Sequence, residues 1–264
     1  FLEATVERLA EVLQVAEETD TKLQGMNLLK LLIEMMGAQV APAAPRMMAC
    51  VHLVWQRATA PEESGSSGSS DAGLLRPAVV ASLAKLLQAL GAQALPLYEF
   101  ILPVIRLSTD THNPDSLYLV EDGLELWASA VKIAPAMSAE LMGCWPNLEA
   151  ILRLEDWEHL PLCMGILEGY MLLGKEDFMR AHGPAALHIL TGLLGCLKDK
   201  GTLLVVGVLD TFLSSFPSEA PPALHAAGTL SKLLAMILAG EESDLLTSGM
   251  CCLLGRILLQ HPAF

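Results

Sequence analysis

LYEFILPVIRLSTDTHNPDSLYLVEDGLELW, residues Leu97 to Trp127, is the stretch on which the reading of this 264-residue chain turns. It divides into two amphipathic segments around a short Ser/Thr/Asn/Pro turn. Leu117, Val120, Leu124, Trp127 and Val131 step by three and four, which predicts a helix with one continuous apolar stripe. Glu121, Asp122 and Glu125 share a face to one side of that stripe. Helix, turn and helix is therefore the local unit.

The same unit recurs with drifting sequence in both directions. Helical periodicity runs over 2–17, 21–38, 43–58, 74–91, 94–108, 115–134, 138–153, 157–174, 183–199, 202–216, 222–240 and 243–260. Breaks carry Thr19–Asp20, Pro42, Pro96, Asn113–Pro114, Pro135, Pro184, Pro217 or Pro221–Pro222. Paired in order, these segments repeat at about 44 residues, within the ~40–47 period of HEAT and armadillo arrays. A single pair cannot bury both of its apolar faces, so pairs must stack. The expected fold is all-α: a HEAT-repeat-like α-α superhelix, or solenoid, of about six antiparallel pairs spanning 1–264. Val79, Val80, Leu83, Leu86, Leu87 and Leu90 form a wide stripe, as on a helix gripped from two sides. Leu28, Leu29, Leu31, Leu32, Met35 and Met36 are apolar nearly all round, which places their helix inside the array. Ala60 to Gly73, APEESGSSGSSDAG, holds no large apolar residue and is expected to be a flexible insertion.

Composition agrees with helix packing. Hydrophobic residues make up 53% and aromatics 5%, with Leu, Ala and Met dominant, and β-branched runs that would seed a sheet are missing. Mean hydropathy is +0.46, high enough to raise the question of a membrane. The longest stretch free of Asp, Glu, Lys and Arg, Ala181 to Leu197, contains Gly183 and Pro184 and falls short of the ~20 residues a spanning helix needs. No membrane insertion is expected, and the first helix has no signal-peptide character. The chain opens on Phe1, as a fragment of something longer would.

Net charge is −14, from 30 acidic and 16 basic residues, and the basic residues are scattered. A phosphate-tracking surface needs a basic stripe, so nucleic acid is not an expected partner. An acidic field attracts basic proteins instead. The six cysteines, at 50, 144, 163, 196, 251 and 252, lie in apolar segments without CxxC spacing, a pattern of reduced, buried thiols in an intracellular protein.

Chemistry-bearing constellations are sparse. His159 with Cys163, and His182 with His188, have no further ligand nearby, so no metal site and no cofactor is expected. GxSxG, HExxH, GxxxxGK[ST] and GxGxxG are absent, which argues against an enzyme. Glu155, Asp156 and Glu158 suit a helix start. Gly165 and Gly169 suggest close helix packing. Glu121, Asp122 and Glu125 remain as the candidate contact for a basic protein, because like charges one turn apart cost the helix a few tenths of a kcal/mol that a basic ligand relieves.

The opening stretch also resembles a family. Leu102–Pro103, Leu107–Ser108–Thr109–Asp110 and the run from Tyr118 to Trp127 are similar to the C-terminal half of importin-beta superfamily transport receptors, closest to the importin-eleven branch. Gly169–Tyr170 and the closing Gly255–Arg256–Ile257–Leu258–Leu259–Gln260 are similar too. The resemblance implies a receptor that shuttles between nucleus and cytoplasm. It would carry protein cargo, make weak contacts with Phe-Gly nucleoporins and release cargo to the Ran GTPase, whose contacts in the family lie mainly in N-terminal repeats. The Ser/Gly insertion departs from the family pattern. The alternative on the same fold is a static HEAT scaffold or adaptor.

Overall fold

A computed structural model of the chain describes residues 2–60, 69–154 and 157–260. Most of the insertion expected over 60–73 lies outside the described residues, as do Glu155 and Asp156. Its last residues instead open a helix, which begins at Ser69 rather than near residue 74. All regular elements among the described residues are helical. They gather into two compact units, Phe1–Pro135 and Ala136–Phe264, each holding three helix pairs.

The first unit contains α1 (Leu2–Val15), α2 (Thr19–Met36), α3 (Ala44–Thr59), α4 (Ser69–Leu90), α5 (Tyr98–Ser108) and α6 (Ser116–Ile133). The pairs are α1–α2, α3–α4 and α5–α6, and the second helices pack in series, α4 lying between α2 and α6. That double packing explains α4: Val79, Val80, Leu83, Ala84, Leu86 and Leu87 are all 0% exposed. Each such Leu or Val contributes roughly 1.5–3 kcal/mol before entropy. A window within Gly73–Ser108 is apolar and long enough by composition to cross a membrane, but half of it is buried and a short 3-10 segment interrupts it. Its apolarity is that of a core helix.

Between pairs the chain uses one joint twice. Gly37–Ala43 reads GAQVAPA and Gly91–Leu97 reads GAQALPL, both short 3-10 segments. Each opens on a glycine at positive φ, 52° at Gly37 and 54° at Gly91, a conformation that a Cβ disfavours. This internal repeat, Gly-Ala-Gln-x-x-Pro, is plain in the sequence once the joints are superposed. Basic side chains fasten the ends of the first helices of two pairs. The Arg57 guanidinium donates to the carbonyls of Leu13 at 2.9 Å and Gln14 at 2.8 Å, at the end of α1. Arg76 donates to the Ala58 carbonyl at 2.9 Å and pairs with Asp115.

The second unit contains α7 (Ala139–Met142), α8 (Trp145–Arg153), α9 (Leu160–Leu193), α10 (Asp199–Ser215), α11 (Ala220–Ala226), α12 (Thr229–Ala239) and α13 (Asp244–Gln260). α9 is two helices in series, kinked at Lys175, where φ is 45° and ψ is −130°. Its first half closes the pair begun by α7 and α8, and its second half opens the pair closed by α10. The sequence places that second helix at 183–199; it occupies 176–193 instead, with Pro184 inside. Pro184 removes the bond to the Arg180 carbonyl, and both residues are exposed, so the lost bond lies on the outer side of the helix. Trp145, Tyr170 and Phe178 form the aromatic centre of this unit, with Trp145 and Phe178 edge to face at 5.1 Å. The Tyr170 hydroxyl donates to the Leu141 carbonyl, and Lys232 reaches the Thr191 carbonyl at 2.9 Å, near the end of α9.

Four expectations need correction. Leu117 is 77% exposed and Val120 only half-buried, whereas Leu124, Trp127 and Val131 are buried as expected, and the buried face of α6 widens to include Leu119, Gly123, Leu126 and Ala130. α5 ends at Ser108, opposite Gly123, so the first turn of α6 projects past it. α2 is not buried all round: Leu28, Leu31 and Met35 are 44%, 49% and 74% exposed, because α4 covers one flank only. Cys50, Cys144 and Cys163 are buried, but Cys196, Cys251 and Cys252 are exposed. Gly165 faces open space and makes no close helix contact.

Candidate functional site

α6 presents the three carboxylates on the face of the second helices. Glu121 is exposed, while Asp122 and Glu125 are half-buried. The structure brings them together: burial first, then the charges of Glu125 and Glu121, push the Asp122 carboxyl up to about 6. Lys30 of α2 and Lys85 of α4 act in the opposite direction. Lys85 also pairs with Glu34 at 3.7 Å. Beside it, the Gln88 amide donates to the Ser129 hydroxyl at 2.9 Å, tying α4 to α6.

The face is therefore mixed in charge, with a half-buried carboxylate under like-charge stress at its centre. Sequence reasoning found the carboxylates and missed the lysines, which come from two other helix pairs. Only the registration of one repeat against the next would have located them. The LSTD and EDG motifs that carry the resemblance have a packing role. The Ser108 and Thr109 hydroxyls donate to the carbonyls of Val104 and Ile105 at 2.8 and 2.7 Å, within α5. A Cβ on Gly123 would lie 2.7 Å from the Ser108 Cβ, so glycine is what lets the two helices meet.

The histidine and cysteine pairs do not form a centre. His159 precedes α9, and Cys163 is buried one turn on, its thiol pushed up to about 12 by burial. His182 packs against Trp145 at 5.2 Å, and burial holds its imidazole below the usual range. His188 is exposed. Among the described residues no three His, Cys, Asp or Glu side chains gather as metal ligands would.

Stacked antiparallel helix pairs without a strand among the described residues, whose candidate site is a polar face, define an all-α, HEAT-repeat-like protein. The profile of a family described as "Importin-11-like, TPR repeats" matches residues 77–264, and the chain belongs to that family. TPR and HEAT units are both stacked helix pairs, with periods of ~34 and ~40–47 residues, and the spacing of about 44 here suits the longer one. The whole chain is 30% identical to Importin-11 of Homo sapiens and of Mus musculus, and covers 26% of each. It is 21% identical over 247 residues to the importin beta-like protein kap113 of Schizosaccharomyces pombe, covering 93% of this chain and 24% of that protein. The chain thus spans about a quarter of the length of these curated relatives. Among solved structures, Lph2, a bidirectional nuclear transport receptor of S. cerevisiae, matches with a TM-score of 0.82 at 21% identity, over 96% of this chain and 26% of that one. An engineered protein matches with a TM-score of 0.63 at 15% identity, over 96% and 98% of the two chains. Both likenesses concern the fold.

Proposed function

We propose that the chain is a stretch of a nucleocytoplasmic transport receptor, and that it contributes a cargo-contacting face built from the second helices of the pairs in its first unit, α2, α4 and α6. The observation that carries this reading is the importin-11-like match over 77–264. In this proposal Glu121, Asp122 and Glu125 meet basic side chains of a protein cargo. The full-length receptor shuttles between nucleus and cytoplasm, touches Phe-Gly nucleoporins at the pore and exchanges cargo under the Ran GTPase. A repeat array suits this work because a ligand preferring one curvature lowers the affinity of another that prefers a different one.

The charge pattern refines the contact. Lys30 and Lys85 already oppose part of the stress on Asp122, so the preferred cargo surface carries both signs and places a Lys or Arg against Asp122. The test is affinity capture of the full-length protein from nuclear and cytosolic extracts, with and without GTP-locked Ran. Basic protein partners displaced by the GTP-locked GTPase support the reading. A partner set indifferent to it points to a static scaffold.

A further inference from the structure

We propose that a groove beside Lys175, in the second unit, binds an extended peptide segment of a protein partner in which a basic side chain stands next to an apolar one. The groove lies between the end of the first half of α9 and the last turn of α10, with a volume of about 700 Å³. That is within the ~300–1,000 Å³ typical of ligand sites. It is remote in sequence from the α6 carboxylates and belongs to a different unit.

The backbone gives the first reason. Lys175 is the only non-glycine residue at positive φ among the described residues. Its φ of 45° and ψ of −130° reproduce those of Gly37, 52° and −133°. Both residues stand at the same kind of joint, where a second helix ends and the next pair begins. The first unit fills that joint with glycine twice, whereas the second holds a lysine there against a steric cost. Gly174, one position earlier, is fixed by packing, since a Cβ there would come within 2.7 Å of the Phe178 Cβ. Nothing in the backbone asks for a lysine at 175. Its side chain is what remains to justify it, and that side chain lines the groove.

The second reason is chemical. Asp210 is committed to Arg256 at 3.2 Å, and Arg256 also donates to Ser214 at 2.7 Å. Among the described residues Lys175, Glu176 and Glu219 form no ion pair. Two unmatched carboxylates, together with the C-terminal end of α10, favour a cation. The Lys175 ammonium is a donor for the backbone carbonyls that an extended chain leaves unpaired. Leu172, 56% exposed on the same wall, offers apolar contact. One occupant meets all three: a strand-like segment with a Lys or Arg beside an aliphatic side chain.

The inference rests on the transport reading only in taking cargo as the source of such a segment, and its test reads binding directly. The probe is a fluorescein-labelled peptide of Lys-Leu-Gly repeats, titrated with the full-length protein and followed by anisotropy, with a Glu-Leu-Gly peptide as control. Saturable binding of the basic peptide alone is expected. Glu176→Lys combined with Glu219→Lys is expected to weaken it at least about tenfold, and Leu172→Ser several-fold. Lys175→Gly is expected to raise Tm while weakening the peptide several-fold, opposite movements that a merely structural lysine would not produce. Glu3→Lys with Glu17→Lys, an equal change of net charge at exposed residues of the first unit, is expected to weaken the peptide far less than the Glu176/Glu219 variant if this groove is the binding site. Failure of the native protein to bind the basic peptide overturns the proposal. So does an affinity of the Glu176/Glu219 variant or of Lys175→Gly within twofold of the native value. Peptide binding together with cargo capture that ignores Ran would sink the transport reading and leave the groove standing.

Discussion

At the scale of single residues, Asp122 is the group whose environment departs most usefully from water. Its carboxyl is raised to about 6 from an ordinary value near 3.8. Between those limits the folded protein holds a proton that the unfolded chain has released. The stability contributed is therefore fully present below about pH 4 and is lost as pH rises through about 6. Asp122→Asn removes the charge and keeps the shape. Urea denaturation should show that slope flattened and a gain of about 1 kcal/mol at pH 7, after allowing for solvent screening of a half-buried group. An unaltered slope would mean that Asp122 is solvated like a surface carboxylate. One residue later the logic is steric. Gly123→Ala brings a Cβ to 2.7 Å from the Ser108 Cβ and 3.1 Å from the Thr109 methyl. The helix-propensity gain of about 1 kcal/mol is outweighed by overpacking, for a net loss of about 1–2 kcal/mol. Equilibrium unfolding of the variant measures it, and a stabilised Gly123→Ala would refute the close approach of α5 and α6.

At the scale of elements, the stability of each helix depends on how its ends are met. α1 leaves the carbonyls of its last turn without partners inside the helix, and Arg57 of α3 supplies two donors to them. Arg57→Ala should cost about 1–2 kcal/mol, and amide exchange in the last turn of α1 should accelerate while that of α4 stays slow. Equal acceleration in both helices would show that the tie is not local. Which helical segments exist, and their order, was legible because each carries a 3.6-residue apolar period bounded by Pro or Gly, although 138–153 divides into α7 and α8 and 222–240 into α11 and α12. α4 shows this best, since its wide stripe announced packing on two sides. Faces were legible only where both neighbours are long enough. Leu117 extends past the end of α5, and Leu28, Leu31 and Met35 lie on the flank of α2 that α4 does not cover, so periodicity alone assigned them to the core. Pro184 misled for a related reason. A proline on a wet helix face interrupts one hydrogen bond without ending the helix, and the true break fell at Lys175, whose residue type gives no warning of positive φ. The candidate site was half legible. Carboxylates on one helix reveal themselves by spacing, whereas Lys30 and Lys85 reach Asp122 only through the stacking of three pairs.

At the scale of the whole molecule, charge decides how the candidate face can be tested. The chain carries −14 net, so any basic protein is drawn to it over distances set by ionic strength, with a Debye length of about 8 Å at physiological salt. A general field of this kind and a specific contact at α6 predict different responses to mutation. Reversing Glu121, Asp122 and Glu125 to lysine changes net charge by six units, so a loss of cargo affinity alone would not identify a site. The informative comparison is a second variant with three exposed carboxylates reversed elsewhere, such as Glu3, Glu7 and Glu11 on α1. Both variants have the same net charge. If α6 makes the contact, the α6 variant should lose about tenfold more affinity for a basic cargo than the α1 variant at physiological salt. The gap should narrow as salt rises, because the exposed members of the contact are screened, yet persist in part because half-buried Asp122 is screened less. Anisotropy titrations of a labelled basic cargo across a salt series measure both quantities. Equal losses in the two variants, vanishing together at high salt, would assign the attraction to the field and remove Glu121, Asp122 and Glu125 from the contact.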